Sequence, residues 1–181
     1  VAVNLSARQL QQPGLSATLG EILHRHGIAP QQLTLELTES AIMSNTSRSI
    51  TALNKLQSMG LRLALDDFGT GYSSFSYLRT FAVHQLKIDK TFVRDLTGDA
   101  ANERIVQAVV AIGHTLGMEV VAEGVETAEQ AALLRTLECD LLQGYHFGMP
   151  MAADGMTTLL RRGTGAPGTA GEPGAGAPSG G

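Results

Sequence analysis

The sequence predicts an α/β protein built as a TIM-like (β/α)8 barrel, with about six βα units present in its 181 residues. Three observations carry that prediction. Short apolar or β-branched runs recur along the chain, each followed by an amphipathic stretch. The runs are nearly continuous in apolar character, as in a parallel sheet buried on both faces. And almost every run delivers a polar or charged residue at its C-terminal end.

The elements follow in order. Val1 to Leu5 reads as a strand carrying Asn4, and Leu15, Leu19, Ile22 and Leu23 share one face of the helix after it. That helix ends before Gly27, where His24 and His26, pointing in different directions, meet the C-terminal dipole rather than a metal. Leu33 to Leu37 is the next strand, with Glu36, and Ile50, Leu53 and Leu56 line a helix stopped by Gly60. Leu61 to Leu65 leads into Asp66 and Asp67, and Gln85 to Ile88 contains Lys87. Ile105, Val109, Ile112 and Leu116 form another helical face, and Glu119 to Ala122 runs into Glu123. Thr127 to Gln130 opens a helix through Leu137 with a capping box, and Asp140 to Gly144 is a strand with Gln143.

An open doubly wound sheet is the competing architecture, but it concentrates its chemistry at one switch point. A polar group on each successive strand is the barrel pattern. A full barrel has eight strands and typically ~250 residues, so six units predict about two further strands upstream, the chain opening inside a strand. Residues 1–162 are expected to form this domain. Residues 163–181, rich in Gly, Ala and Pro, are expected to be a disordered tail, since they cannot bury enough apolar surface to offset chain entropy.

Composition narrows the class. The chain is 43% hydrophobic with 4% aromatic residues and no Trp, so its core is aliphatic. A net charge of -4 argues against duplex nucleic acid, whose phosphates demand clustered Lys and Arg. A small nucleotide met through metal ions stays compatible. Cys139 is the single cysteine, which excludes a disulfide framework and fits a reducing cytoplasm and a small buried position. No apolar run approaches the ~20 residues of a spanning helix, and the N-terminus lacks a signal-peptide pattern. The domain is expected to be cytoplasmic, within a parent that a membrane could still tether.

Asn4, Glu36, Asp66, Asp67, Glu123 and Glu126 would converge at the barrel mouth. Carboxylates packed so closely repel unless a cation neutralises them, and oxygen donors select hard ions such as Mg²⁺ or Mn²⁺. Two ions can activate water and stabilise the leaving oxygen of a phosphodiester, while Lys87 adds a point charge. Singly, each residue has a plainer reading: a capped turn for Asp66 and Asp67, helix caps for Glu36 and Glu39, a first-turn charge for Glu126, a surface pair with Asp89 for Lys87. One such group per strand, all at the same end, favours the site. His84, His114 and His146 lack spacing for a joint site, and Met149 and Met151 are expected to pack.

VNLS at Val3 to Ser6, ELTES at Glu36 to Ser40, DDFGTGYSS at Asp66 to Ser74, KID at Lys87 to Asp89, AEGVE at Ala122 to Glu126 and QGY at Gln143 to Tyr145 resemble successive motifs of the EAL-domain family. The resemblance implies a barrel phosphodiesterase that hydrolyses cyclic di-GMP to the linear dinucleotide with two Mg²⁺ or Mn²⁺ ions. It implies that Asn4, Glu36 and Asp66 hold one ion, that Asp67 serves the second, and that Glu123 is a further metal-site carboxylate. Lys87 matches the lysine contacting the attacking water, Glu126 and Gln143 match groups bracketing the substrate, and Glu39 matches the glutamate bracing the loop from Phe68 to Ser74. That loop could couple catalysis to homodimerisation or to an upstream sensor or GGDEF domain. The family's Glu-x-Leu-x-Arg segment, which supplies a metal ligand and a phosphate-gripping arginine, is not among these residues. The 181 residues alone are therefore expected to show little turnover. Two alternatives stand beside the enzyme: an inactive EAL module that binds cyclic di-GMP or a protein as a regulator, and a generic metal-dependent phosphoesterase.

Overall fold

The computed structural model describes residues 1–43, 46–69 and 83–161. Six strands form one parallel sheet: β1 (Ala2–Asn4), β2 (Thr34–Thr38), β3 (Arg62–Phe68), β4 (Gln85–Ile88), β5 (Glu119–Ala122) and β6 (Leu141–Leu142). Their spatial order is their sequence order, β1-β2-β3-β4-β5-β6. Every crossover therefore adds its strand to the same edge, and the reversal that defines a doubly wound sheet does not occur. The order is that of a (β/α)8 barrel wall. The strand placements match the sequence pattern except at the end, where Asp140 to Gly144 shrinks to the two residues of β6.

Among the described residues, helices lie in the crossovers other than β3 to β4: α1 (Ala7–Leu10), α2 (Leu15–His26), α3 (Glu39–Met43), α4 (Thr46–Ser58), α5 (Lys90–Arg94), α6 (Ala100–Thr115), α7 (Ala128–Thr136) and, after β6, α8 (Ala153–Arg161). A capping box closes α1 at Ser6 and Gln9, and another closes α7 at Thr127 and Gln130, as its sequence predicts. Gly27 ends α2 in the left-handed conformation at φ 63°, its N–H bonded to His24 and Leu23 carbonyls.

The two-residue period of a strand assigns the faces. Leu35 and Leu37, Leu63 and Leu65, Leu86 and Ile88, and Val120 and Ala122 are fully or almost fully buried. They join Ile42, Leu53, Leu56, Val106, Val109, Val110 and Leu134 from the helices in one core. The alternate residues, Glu36 and Thr38, Ala64 and Asp66, Gln85 and Lys87, lie on the opposite face. At the N-terminal end of that face Arg62 forms an ion pair with Glu119, which also accepts a 3.2 Å hydrogen bond from Gln85 Nε2.

Two helical faces differ from the sequence reading. In α6 the buried set is Val106, Val109, Val110 and Gly113, while Ile105 is exposed and Ile112 only half-buried. The helix is rotated because Gly113 lies directly on β5: a Cβ there would stand 2.4 Å from Val120 Cγ2. In α2 Ile22 is exposed, leaving Leu23, Leu15 and Leu19 against the core. Met149 and Met151, expected to pack, are exposed by 62% and 45%.

A carboxylate cluster around a buried lysine

The C-terminal ends of β2, β3 and β4 and the residue after β5 bring charged side chains to one point. Lys87 is 4% exposed, and its Nζ lies 2.6 Å from Glu123 Oε1, 2.7 Å from Glu36 Oε1 and 3.2 Å from Asp66 Oδ1. Asp89 is not its partner. Instead Asp89 caps α5, accepting the Thr91 N–H at 2.9 Å.

The ladder explains how adjacent aspartates can share one mouth. In a regular strand Asp66 and Asp67 would point to opposite faces. Here Leu65 pairs with Leu86 and Phe68 with Ile88, so two residues of β3 stand opposite the single Lys87. This is a β-bulge. Asp67 takes the left-handed conformation at φ 56°, and its N–H donates to Asp66 Oδ1 at 3.1 Å. A side chain held there is strained, a condition that clusters at functional sites.

The electrostatics are those of crowded carboxylates. Burial works against the Lys87 charge, but hydrogen bonds to Glu123 and Glu36 and the charges of Glu123 and Asp66 outweigh it. The ammonium is held well above the ordinary lysine range. Burial raises the Glu123 carboxyl, Lys87 opposes that, and Asp66 and Glu36 add to the rise. Burial also raises Asp67, with the Asp66 and Asp89 charges pushing the same way. One ammonium thus serves Glu36, Asp66 and Glu123 with Asp67 adjacent, and negative charge is left over.

This donor set fits a hard divalent cation: carboxylate oxygens, an excess of negative charge, and an ammonium already standing where a cation is attracted. Asn4, paired in register with Glu36 and exposed, adds an amide at the rim. Among the described residues no three Asp, Glu, His or Cys are grouped to hold an ion; Lys87 occupies the centre of the three carboxylates.

A groove of about 270 Å³ opens on the far side of Glu123, lined also by Glu126, Gln143, Tyr145 and Lys90. Two glycines shape it. A Cβ on Gly144 would lie 2.1 Å from the Val125 carbonyl oxygen, so QGY admits no side chain at its centre. Gly124, at φ 69°, would meet Lys90 Cβ at 2.6 Å, which explains the glycine of AEGVE. Backbone bonds from Gln143 N to Ala122 O (2.8 Å) and from Val125 N to Gln143 O (3.0 Å) fix the walls together. Gln130 is buried behind them: its Nε2 donates to the Val93 and Arg94 carbonyls at 3.1 Å, and its Oε1 accepts the Glu126 N–H at 2.8 Å. The capping box reveals Gln130 in the sequence, but not that it ties α5 to the groove.

Glu39 is buried as the first residue of α3. Of the loop it is expected to brace, Phe68 to Ser74, residues 70–74 lie outside the described residues. So do residues 163–181. His84 and His114 are separate, accepting the Leu63 N–H at 3.2 Å and contacting Asp140 Oδ2 at 2.9 Å respectively. His146 meets the Phe147 ring edge-on. No described helix is long and apolar enough to cross a membrane.

The EAL domain family model matches residues 1–150. A curated relative, the bifunctional diguanylate cyclase/cyclic di-GMP phosphodiesterase MucR of Pseudomonas aeruginosa, is 45% identical over 85% of this chain and 22% of its own length. The chain thus spans about a fifth of that relative. The solved PaMucR phosphodiesterase in complex with c-di-GMP superposes with a TM-score of 0.82 at 44% identity, over 86% of this chain and 63% of that one. The manganese/cy-diGMP complex of Klebsiella pneumoniae BlrP1 gives 0.78 at 36% identity, covering 82% and 38%.

Proposed function

The chain belongs to the EAL domain family, and we propose on that premise that its barrel hydrolyses one phosphodiester bond of cyclic di-GMP to give the linear dinucleotide. The observation that carries the reading is the convergence of Glu36, Asp66 and Glu123 on Lys87, with Asp67 brought alongside by the bulge. Asn4, Glu36 and Asp66 would hold one Mg²⁺ or Mn²⁺ ion and Asp67 a second, Glu123 being a further carboxylate of the site. Such ions supply an activated water and charge stabilisation for the departing oxygen.

The remaining roles follow from the side chains. Lys87 stays protonated at neutral pH, so it acts as a donor and a fixed positive charge, not as a base. Gln143 and Glu126, on the wall of the groove, would bracket the nucleotide. Glu39 would brace the segment after the aspartates. The names of the relatives support cyclic di-GMP as substrate, and their length supports a larger signalling protein with a sensor or GGDEF domain beside this barrel. Residues 1–162 would be its catalytic module.

A regulator that binds cyclic di-GMP without hydrolysing it is the second reading, favoured by the Lys87 ammonium already meeting three carboxylates. Product analysis separates the two. With the full-length protein and Mn²⁺, the enzyme reading expects accumulation of the linear dinucleotide and a loss of about 10²-fold in kcat for Lys87→Ala. Binding with no linear product from the wild type would establish the regulator instead.

A further inference from the structure

We infer that Lys90, which the family motifs do not single out, is a substrate-binding residue holding a phosphate of the cyclic dinucleotide in the groove beside Glu123. The inference rests on the function proposed above and adds to it a residue on a separate wall. Its first ground is charge. The groove carries Glu126 and one side of Glu123, and Lys90 is the cation that lines it among the described residues. A dianionic ligand entering there meets two carboxylates and neutral groups, and this ammonium is the one opposite charge among the described lining residues. Lys87 cannot serve, because Glu36, Asp66 and Glu123 already engage it.

The second ground is construction. The base of Lys90 is fixed while its ammonium forms no ion pair with another described residue. Asp89 caps the helix that Lys90 begins. Behind it, Gly124 gives up its Cβ, which would stand 2.6 Å from Lys90 Cβ and 3.4 Å from its Cα. Gly124 follows the very residue whose carboxylate binds Lys87, so the geometry that places Glu123 also seats the root of Lys90. A cyclic dinucleotide has two phosphodiesters. If the carboxylate cluster and its ions meet one, the other needs a cation, and a flexible lysine at the groove wall supplies a point charge.

The test is steady-state kinetics of the full-length protein on cyclic di-GMP with Mn²⁺, paired with calorimetric binding. Lys90→Gln should raise KM and Kd about five- to tenfold with kcat within twofold, because the contact is equally present in ground and transition states. Lys90→Arg should recover most of the affinity. Wild-type Kd should rise more steeply with salt than that of Lys90→Gln, since a screened charge contact has been removed. If the wild type turns over while Lys90→Gln keeps its KM and Kd, or loses kcat at unchanged KM, the assignment is overturned and the proposed function stands. If the wild type neither binds nor hydrolyses cyclic di-GMP, the function falls and this assignment with it.

Discussion

A buried ammonium shared by three carboxylates is stable only as a set. Removing one member of a buried charge cluster typically costs about 3–5 kcal/mol, because the rest are left uncompensated. Lys87→Met should therefore destabilise the metal-free protein by about 3 kcal/mol in urea melts, and Mn²⁺ should restore part of the loss. A Lys87→Met protein as stable as wild type would mean that the carboxylates relax into water instead. At the opposite end of the sheet, Asp140 gives a prediction in pH. Burial would raise its carboxyl, but hydrogen bonds from the Val120 N–H and His114 hold it below the usual aspartate value. A lowered carboxyl contributes stability above its unfolded pKa and loses it as pH falls through the folded one. The deficit of Asp140→Asn should thus be full at neutral pH and shrink as pH falls below about 4; a pH-independent deficit would assign the effect to shape alone. Burial also pushes the Cys139 thiol up to about 11, so thiol reagents should label it only on unfolding.

At the scale of the element, close packing rather than propensity decided what was legible. Strand existence follows from the apolar runs, and all six strands lie within about three residues of the sequence bounds at either end. The face of α6 was misread because Ile105 and Ile112 are more hydrophobic than Gly113, yet the helix must approach β5 at its glycine. Gly113→Ala should cost about 1–3 kcal/mol by overpacking, and Val120→Ala in the same protein should relieve the clash, so that the double mutant loses less than the two costs added. Strict additivity would show that the Gly113–Val120 contact does not set the helix rotation. The bulge at Asp66 and Asp67 was invisible for a related reason. Two adjacent aspartates announce a polar strand end, but only pairing with β4 shows that both can serve one mouth. Lys90 was missed because a lysine after KID reads as an ordinary exposed first-turn residue.

For the whole molecule, one polar group at each strand end points to the barrel, and the unreversed strand order agrees with it. The convergence itself was legible, with Glu36, Asp66, Lys87 and Glu123 all meeting; the centre held by an ammonium was not, since spacing in sequence does not say which charge takes the middle. Removing residues 163–181 should leave the melting temperature unchanged, given a composition with no apolar pattern. The central claim is that this acidic cluster works through divalent ions on cyclic di-GMP. The most direct test follows linear dinucleotide formation by the full-length protein as purified, after EDTA, after Mn²⁺ or Mg²⁺ is returned, and in Asp66→Asn. The account predicts turnover that EDTA abolishes, that either added ion restores, and that Asp66→Asn lacks. Undiminished turnover in excess EDTA, or in Asp66→Asn, would contradict it.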